Sequence, residues 1–157
     1  IIVGQERGFT APAVWTSILL NVVEAAAART SVFALIKVAS LDPSHTASVR
    51  NVSRALRLAT LRLQLATEDA ALRLANQSCA DAVEGDPIGH LRKFNIVSHD
   101  QATAYAMVLA HEKQVHGRFS FVVKLRADQQ ICRPFPPLLK WSARCVMTWF
   151  KPGGDAR

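Results

Sequence analysis

LRLQL, residues 61–65, fits two secondary structures, and the fold turns on which it adopts. As a strand, Leu61, Leu63 and Leu65 alternate with Arg62 and Gln64, the period-two pattern of a half-buried strand. As a helix, Leu63 continues a three-four spacing that runs through Val49, Val52, Leu56, Ala59, Ala66 and Ala70. Leu58, Leu61, Leu65 and Leu72 keep a similar spacing on the opposite side. Two apolar faces suit a central helix packed on both sides, or two shorter helices that face differently. The start is marked by Asp42-Pro43, an N-cap acid followed by proline at the first helical position. The stop is the turn signal Gly85-Asp86-Pro87. These signals predict helix over 43–84, continuous or broken.

Upstream, residues 12–40 are the most apolar stretch, with Glu24, Arg29 and Lys37 its only charges. A helix over 12–29 would place Ser17, Asn21 and Glu24 on one narrow stripe and apolar residues over most of the rest, as a core helix does. Asn21 and Glu24 interrupt the run before the about 18–20 apolar residues that a membrane span needs, so no transmembrane span is expected. Ser31–Val38 is rich in β-branched residues and suits a buried strand instead.

Downstream, Ser98-His99-Asp100-Gln101 has the form of a capping box and predicts a helix over 98–116. Tyr105, Val108, Leu109 and Val115 would form its core stripe, with Gly117 as the residue that closes it. Residues 118–126, RFSFVVKLR, alternate cleanly and predict a strand whose polar face is cationic. One strand cannot stand alone; its partner would be Ser31–Val38 or the region Phe94–Ser98. Pro134 and Pro137 mark an extended connector into a last helix over 137–150. The expectation is a mainly α fold: a single-domain helical bundle, 1–157, of about four helices with one or two short strands, with α+β as the alternative. Its core would hold Trp15, Ile18, Leu19, Leu56, Leu63, Tyr105 and Leu109.

The 157 residues are half apolar and one-fifth charged, a globular composition that excludes wholesale disorder. The formal net charge is +7, which bears on partners and not on fold. Four arginines, Arg50, Arg54, Arg57 and Arg62, fill one stretch with no acid among them. The function expected from this pattern is a non-enzymatic binding protein that contacts a polyanion, most plausibly nucleic acid. Arg50, Arg54, Arg57, Arg118, Lys124 and Arg126 are the candidate phosphate-facing residues. No zinc finger or RNA-binding aromatic motif accompanies them.

Two alternatives belong to other classes. On a helix over 138–151, Leu138, Trp141, Cys145 and Trp149 share one face while Lys140, Arg144 and Lys151 gather on another. Such a segment can lie on an anionic membrane surface or fill a protein partner's groove. Its tryptophans also suit the domain's own core. The second alternative is a small enzyme in which His90, His99 or His111 meets Glu112. No nucleophile elbow, phosphate-binding loop or dinucleotide fingerprint is present to support it.

No metal or cofactor is expected. His111 and His116 in LAHEKQVHGRF, residues 109–119, lie five apart rather than the four of a zinc-peptidase helix. They point roughly 140° away from each other, so one ion cannot bind both. Cys79, Cys132 and Cys145 share no paired spacing and leave the redox compartment open.

Overall fold

The computed structural model describes residues 1–26, 30–66 and 87–135. A parallel sheet lies at its centre, and the mainly α expectation is corrected to an α/β fold. Strands β1 (Ile2–Gln5), β2 (Phe33–Val38), β3 (Thr60–Leu65) and β4 (Leu125–Arg126) lie in the order β3-β2-β1-β4. Every neighbouring pair is parallel. The helices are α1 (Glu6–Phe9), α2 (Pro12–Ile18), α3 (Pro43–Ala55) and α4 (Pro87–Val115), and α2 is prolonged by a π-helical turn over Leu19–Glu24.

Residues of β2 alternate between two cores. Ala34, Ile36 and Val38 face α2 and α3 in a cluster with Ile18, Val49, Val52 and Leu56. Phe33 and Leu35 face the other way and pack with Ala104, Met107 and Val108 of α4. Helices thus cover both faces, which is why β2 is apolar nearly throughout and buried at five of its six positions. Parallel strands require crossovers between them, and these carry α2 and α3 to one face as the chain steps from β1 to β2 to β3. The return to β4, on the far side of β1, places α4 on the opposite face.

LRLQL is a strand. Its leucines align with β2 as Leu61↔Ala34, Leu63↔Ile36 and Leu65↔Val38, and Leu61 and Leu63 pack against the α2/α3 core. The helix expected over 43–84 ends at Ala55 because a closing motif intervenes. Leu58 N–H bonds to Ser53 carbonyl at 3.0 Å and Arg57 N–H to Arg54 carbonyl at 3.1 Å, with Arg57 at φ 50°. That is a Schellman motif, with Leu58 tucked against the core that also holds Val52. The start at Asp42-Pro43 stands as expected, although Asp42 makes no side-chain cap bond.

Other boundaries move as well. The helix expected from 98 begins at Pro87, so the capping box at Ser98 falls within α4. Its core stripe is Ala104, Met107 and Val108; Tyr105 and Leu109 are 49% and 42% exposed. The residue that closes α4 in the left-handed region is His116, at φ 50°, and Gly117 N–H bonds to Glu112 carbonyl at 3.1 Å. Of the strand expected over 118–126, the sheet takes only Leu125–Arg126. The helix expected over 137–150 lies outside the described residues. No helix among the described residues is long and apolar enough to cross a membrane.

Candidate functional site at the carboxyl end of the sheet

From β1 the chain steps to β2 and β3 on one side, and β4 returns to the other side of β1. At such a reversal the connections leave the carboxyl ends of the strands in opposite directions, and open α/β sheets bind their ligands in the crevice this creates. Here that reversal falls between β1 and β4, and the turns after β1 and after β2 lie next to it. The first leads directly from Gln5 into α1, and the second runs from Ala39 to the first turn of α3.

A shallow cleft of about 390 Å³ lies between these turns, lined by Glu6, Arg7, Thr10 and His45. Glu6 and Arg7 stand on α1 and His45 on the first turn of α3. The pairing of β1 with β2 brings together residues almost forty positions apart. Arg7 and His45 are exposed, and Glu6 and Thr10 are half-buried. The Thr10 hydroxyl donates to Glu6 carbonyl at 3.0 Å, and the Ser48 hydroxyl approaches Glu6 Oε1 at 3.4 Å.

The start of α3 adds donors. Asp42 accepts from the Ser40 hydroxyl through Oδ2 at 2.8 Å rather than capping the helix. First-turn N–H groups of a helix lack intrahelical acceptors and carry the positive end of its dipole. Those of Ser44 and His45 therefore remain available next to the cleft. The site offers a guanidinium, an imidazole, two backbone donors and one carboxylate.

The β4 side of the crevice is filled by the chain itself. Gly4 and Gly8 admit Ala127 and Asp128 so closely that a Cβ on either glycine would collide with them. Arg126 holds Asp128 in a two-point ion pair, with Nε to Oδ1 at 2.9 Å and a second nitrogen to Oδ2 at 2.8 Å. Hydrogen bonding from Arg126 keeps the Asp128 carboxyl below the usual carboxylate range, and the same bond raises the pKa of Arg126. The positive charge of Arg7 also favours ionised Asp128.

The residues expected to face phosphate separate into two sets. Arg50 and Arg54 lie on α3 and Arg57 just after it, all exposed. Arg54 donates to Asn51 Oδ1 at 2.8 Å, and Arg50 reaches the Thr46 hydroxyl at 3.4 Å. Arg118, Lys124 and Arg126 are exposed too, but they belong to the segment entering β4, at the opposite edge of the sheet from β3. Arg126 is engaged by Asp128. Lys140, Trp141, Arg144 and Trp149, the residues expected to meet a membrane or partner, lie outside the described residues.

Of the residues named for an enzymatic site, His111 sits in an aromatic trio. It stacks on Phe119 at 5.9 Å between ring centroids and meets Phe33 edge-on at 5.3 Å. Glu112 Oε1 accepts from Phe119 N–H at 2.8 Å. His99 is exposed, and the side chain of His90 lies outside the described residues. Among the described residues no three His, Cys, Asp or Glu side chains gather as a metal site would require. Cys132 is an exposed free thiol, while Cys79 and Cys145 lie outside the described residues.

Arg7, Thr10 and His45 were absent from the sequence-derived candidates. The signal that points toward them is Gly4-x-x-x-Gly8 directly after the apolar run Ile1–Val3, a strand that ends in a glycine-bearing turn. No family model matches the chain, and no curated protein or solved structure matches it either.

Proposed function

We propose that the chain binds a phosphorylated small molecule of the nucleotide class in the cleft between the β1–α1 and β2–α3 turns. The observation that carries this reading is the cleft of Glu6, Arg7, Thr10 and His45 at the carboxyl end of the parallel sheet, with the first turn of α3 against it. Arg7, His45 and the first-turn N–H groups of α3 would hold the phosphate, since each favours an oxyanion. The Glu6 carboxylate would accept from a sugar hydroxyl.

Calorimetric titration with ADP at low salt tests the proposal. Saturable binding is expected, weakened at least tenfold, about 1.4 kcal/mol, by Arg7→Ala or His45→Ala. Both side chains are exposed, so the melting temperature of each variant should match that of the parent. Adenosine should bind more weakly than ADP. Absent binding, or binding indifferent to both substitutions, would refute the assignment.

A second reading concerns the exposed row Arg50, Arg54 and Arg57. None of the three has an ion pair among the described residues, and Arg50 and Arg54 stand one helical turn apart on α3. This favours contact with a polyanion, nucleic acid included, through its phosphates. An oligonucleotide titrated at about 50 and 200 mM salt should lose affinity steeply. Replacing all three arginines by alanine should flatten that dependence, and an unaltered slope would place the contact elsewhere.

A further inference from the structure

We propose that an apolar cavity beyond the amino ends of β1 and β2 is a binding site for a small apolar group, a single ring or a branched alkyl chain. It lies at the opposite end of the sheet from the phosphate cleft and stands independently of it. The cavity has a volume of about 120 Å³. Its walls include Ile18, Val22 and Val23 after β1, Phe33 at the start of β2, and Val108 from α4. It therefore lies where the two cores meet. Protein interiors close such gaps, because atoms lining empty space lose dispersion contacts. An apolar cavity of about 150 Å³ stays dry and admits benzene or xenon, so this one is matched to one ring.

Two further features set it apart from a packing defect. The wall that carries Val22 and Val23 is the π-helical turn Leu19–Glu24. π-Turns are rare and concentrate at functional sites. A fastened strap also borders the cavity. Ile131 N–H donates to Ser17 Oγ at 2.9 Å, and Asn21 Nδ2 donates to Ile131 carbonyl at 2.6 Å. Phe135 N–H donates to Asn21 carbonyl at 2.6 Å, which brings the buried Phe135 ring onto the cavity. Three hydrogen bonds thus hold residues 131–135 in place at its edge. Phe33 and Phe119 meet edge-on at 5.9 Å between centroids on another side, the arrangement in which an aromatic guest finds both ring faces and ring edges.

The test is a titration of the full chain, with ¹³C-labelled methyl groups, by benzene. Saturable shifts are expected at the methyls of Ile18, Val22 and Val108, together with a rise in melting temperature. Val23→Phe fills the cavity from within, and it should abolish these shifts while the circular dichroism spectrum is retained. Should that variant not fold, competition in the parent protein decides. Xenon displacing benzene from the same methyls supports one shared site, whereas additive shifts from the two overturn it. No saturable shift up to the solubility limit of benzene, or shifts that persist in folded Val23→Phe, would likewise overturn the proposal.

Discussion

A Cβ built on Gly4 would stand 2.6 Å from the Cβ of Ala127, closer than two such carbons pack. Gly4 lies in register with Ile36 on one side of β1. On the other side, the chain leaving β4 crosses directly over it, and Ala127 N–H bonds to Val3 carbonyl at 3.0 Å. The glycine serves close approach of backbone to backbone. Gly4→Ala should therefore destabilise the fold by about 1–3 kcal/mol, the cost of overpacking a core. Urea denaturation measures it, and adding Ala127→Gly should recover part of the loss. A change within about 0.5 kcal/mol would mean that the β4 turn yields freely.

Arg57 closes α3 at φ 50°, where a side chain crowds its own carbonyl. Left-handed backbone costs a non-glycine residue about 1–2 kcal/mol, part of which glycine returns through its looser unfolded chain. Arg57→Gly should raise stability by up to about 1 kcal/mol on this reasoning, read as a shift in the denaturation midpoint. If the arginine row contacts a polyanion, the same substitution should weaken binding. The pairing of a gain in stability with a loss of affinity would mark Arg57 as a residue held for contact.

Lys37 and Asp100 join β2 to α4 beneath the helix, with Nζ to Oδ2 at 2.7 Å. Asp100 is 7% exposed. On the neighbouring strands Gln5 and Gln64 flank Lys37 in register. Removing one partner strands the other charge away from water, which costs about 3 kcal/mol or more at a buried pair. Asp100→Ala should lose that much, whereas Lys37→Met combined with Asp100→Leu should come close to the parent. Equilibrium denaturation of the three variants checks both values; a loss under about 1 kcal/mol in the single variant would mean that water reaches the ammonium.

Local rules of the chain proved legible, and pairing did not. Asp42-Pro43 marks a helix start because proline fixes its own φ at the first helical position, whatever lies far away in the chain. β2 was ambiguous for a physical reason: Phe33, Leu35, Ala34 and Ile36 are buried on both faces, which erases the alternation that identifies a strand. β3 keeps its alternation, but the spacing of Leu58, Leu61 and Leu65 imitates a helix face equally well. β1 has only four residues, too few for any period to show. The four-residue box at Ser98 misled because the same residue types occur within helices. The cleft was illegible because Arg7 and His45 meet only once β1 and β2 have paired.

The placement of β1 at the centre of the sheet shapes how this chain must be assembled. Its one edge can meet β2 after a short connection, yet its other edge waits for residues 125–127, and Ile1 and Val123 are separated by 122 positions. Contacts of such sequence separation form slowly, since the loop must close before they repay it. During synthesis, the backbone at Ile2 and Val3 therefore stays bare on one side while α3, β3 and α4 emerge. An unpaired edge is a template for the wrong strand. The vulnerable species of this protein is then the chain that has not yet reached Leu125, and a truncation just before Leu125 should aggregate more readily than one that retains the turn at Ala127.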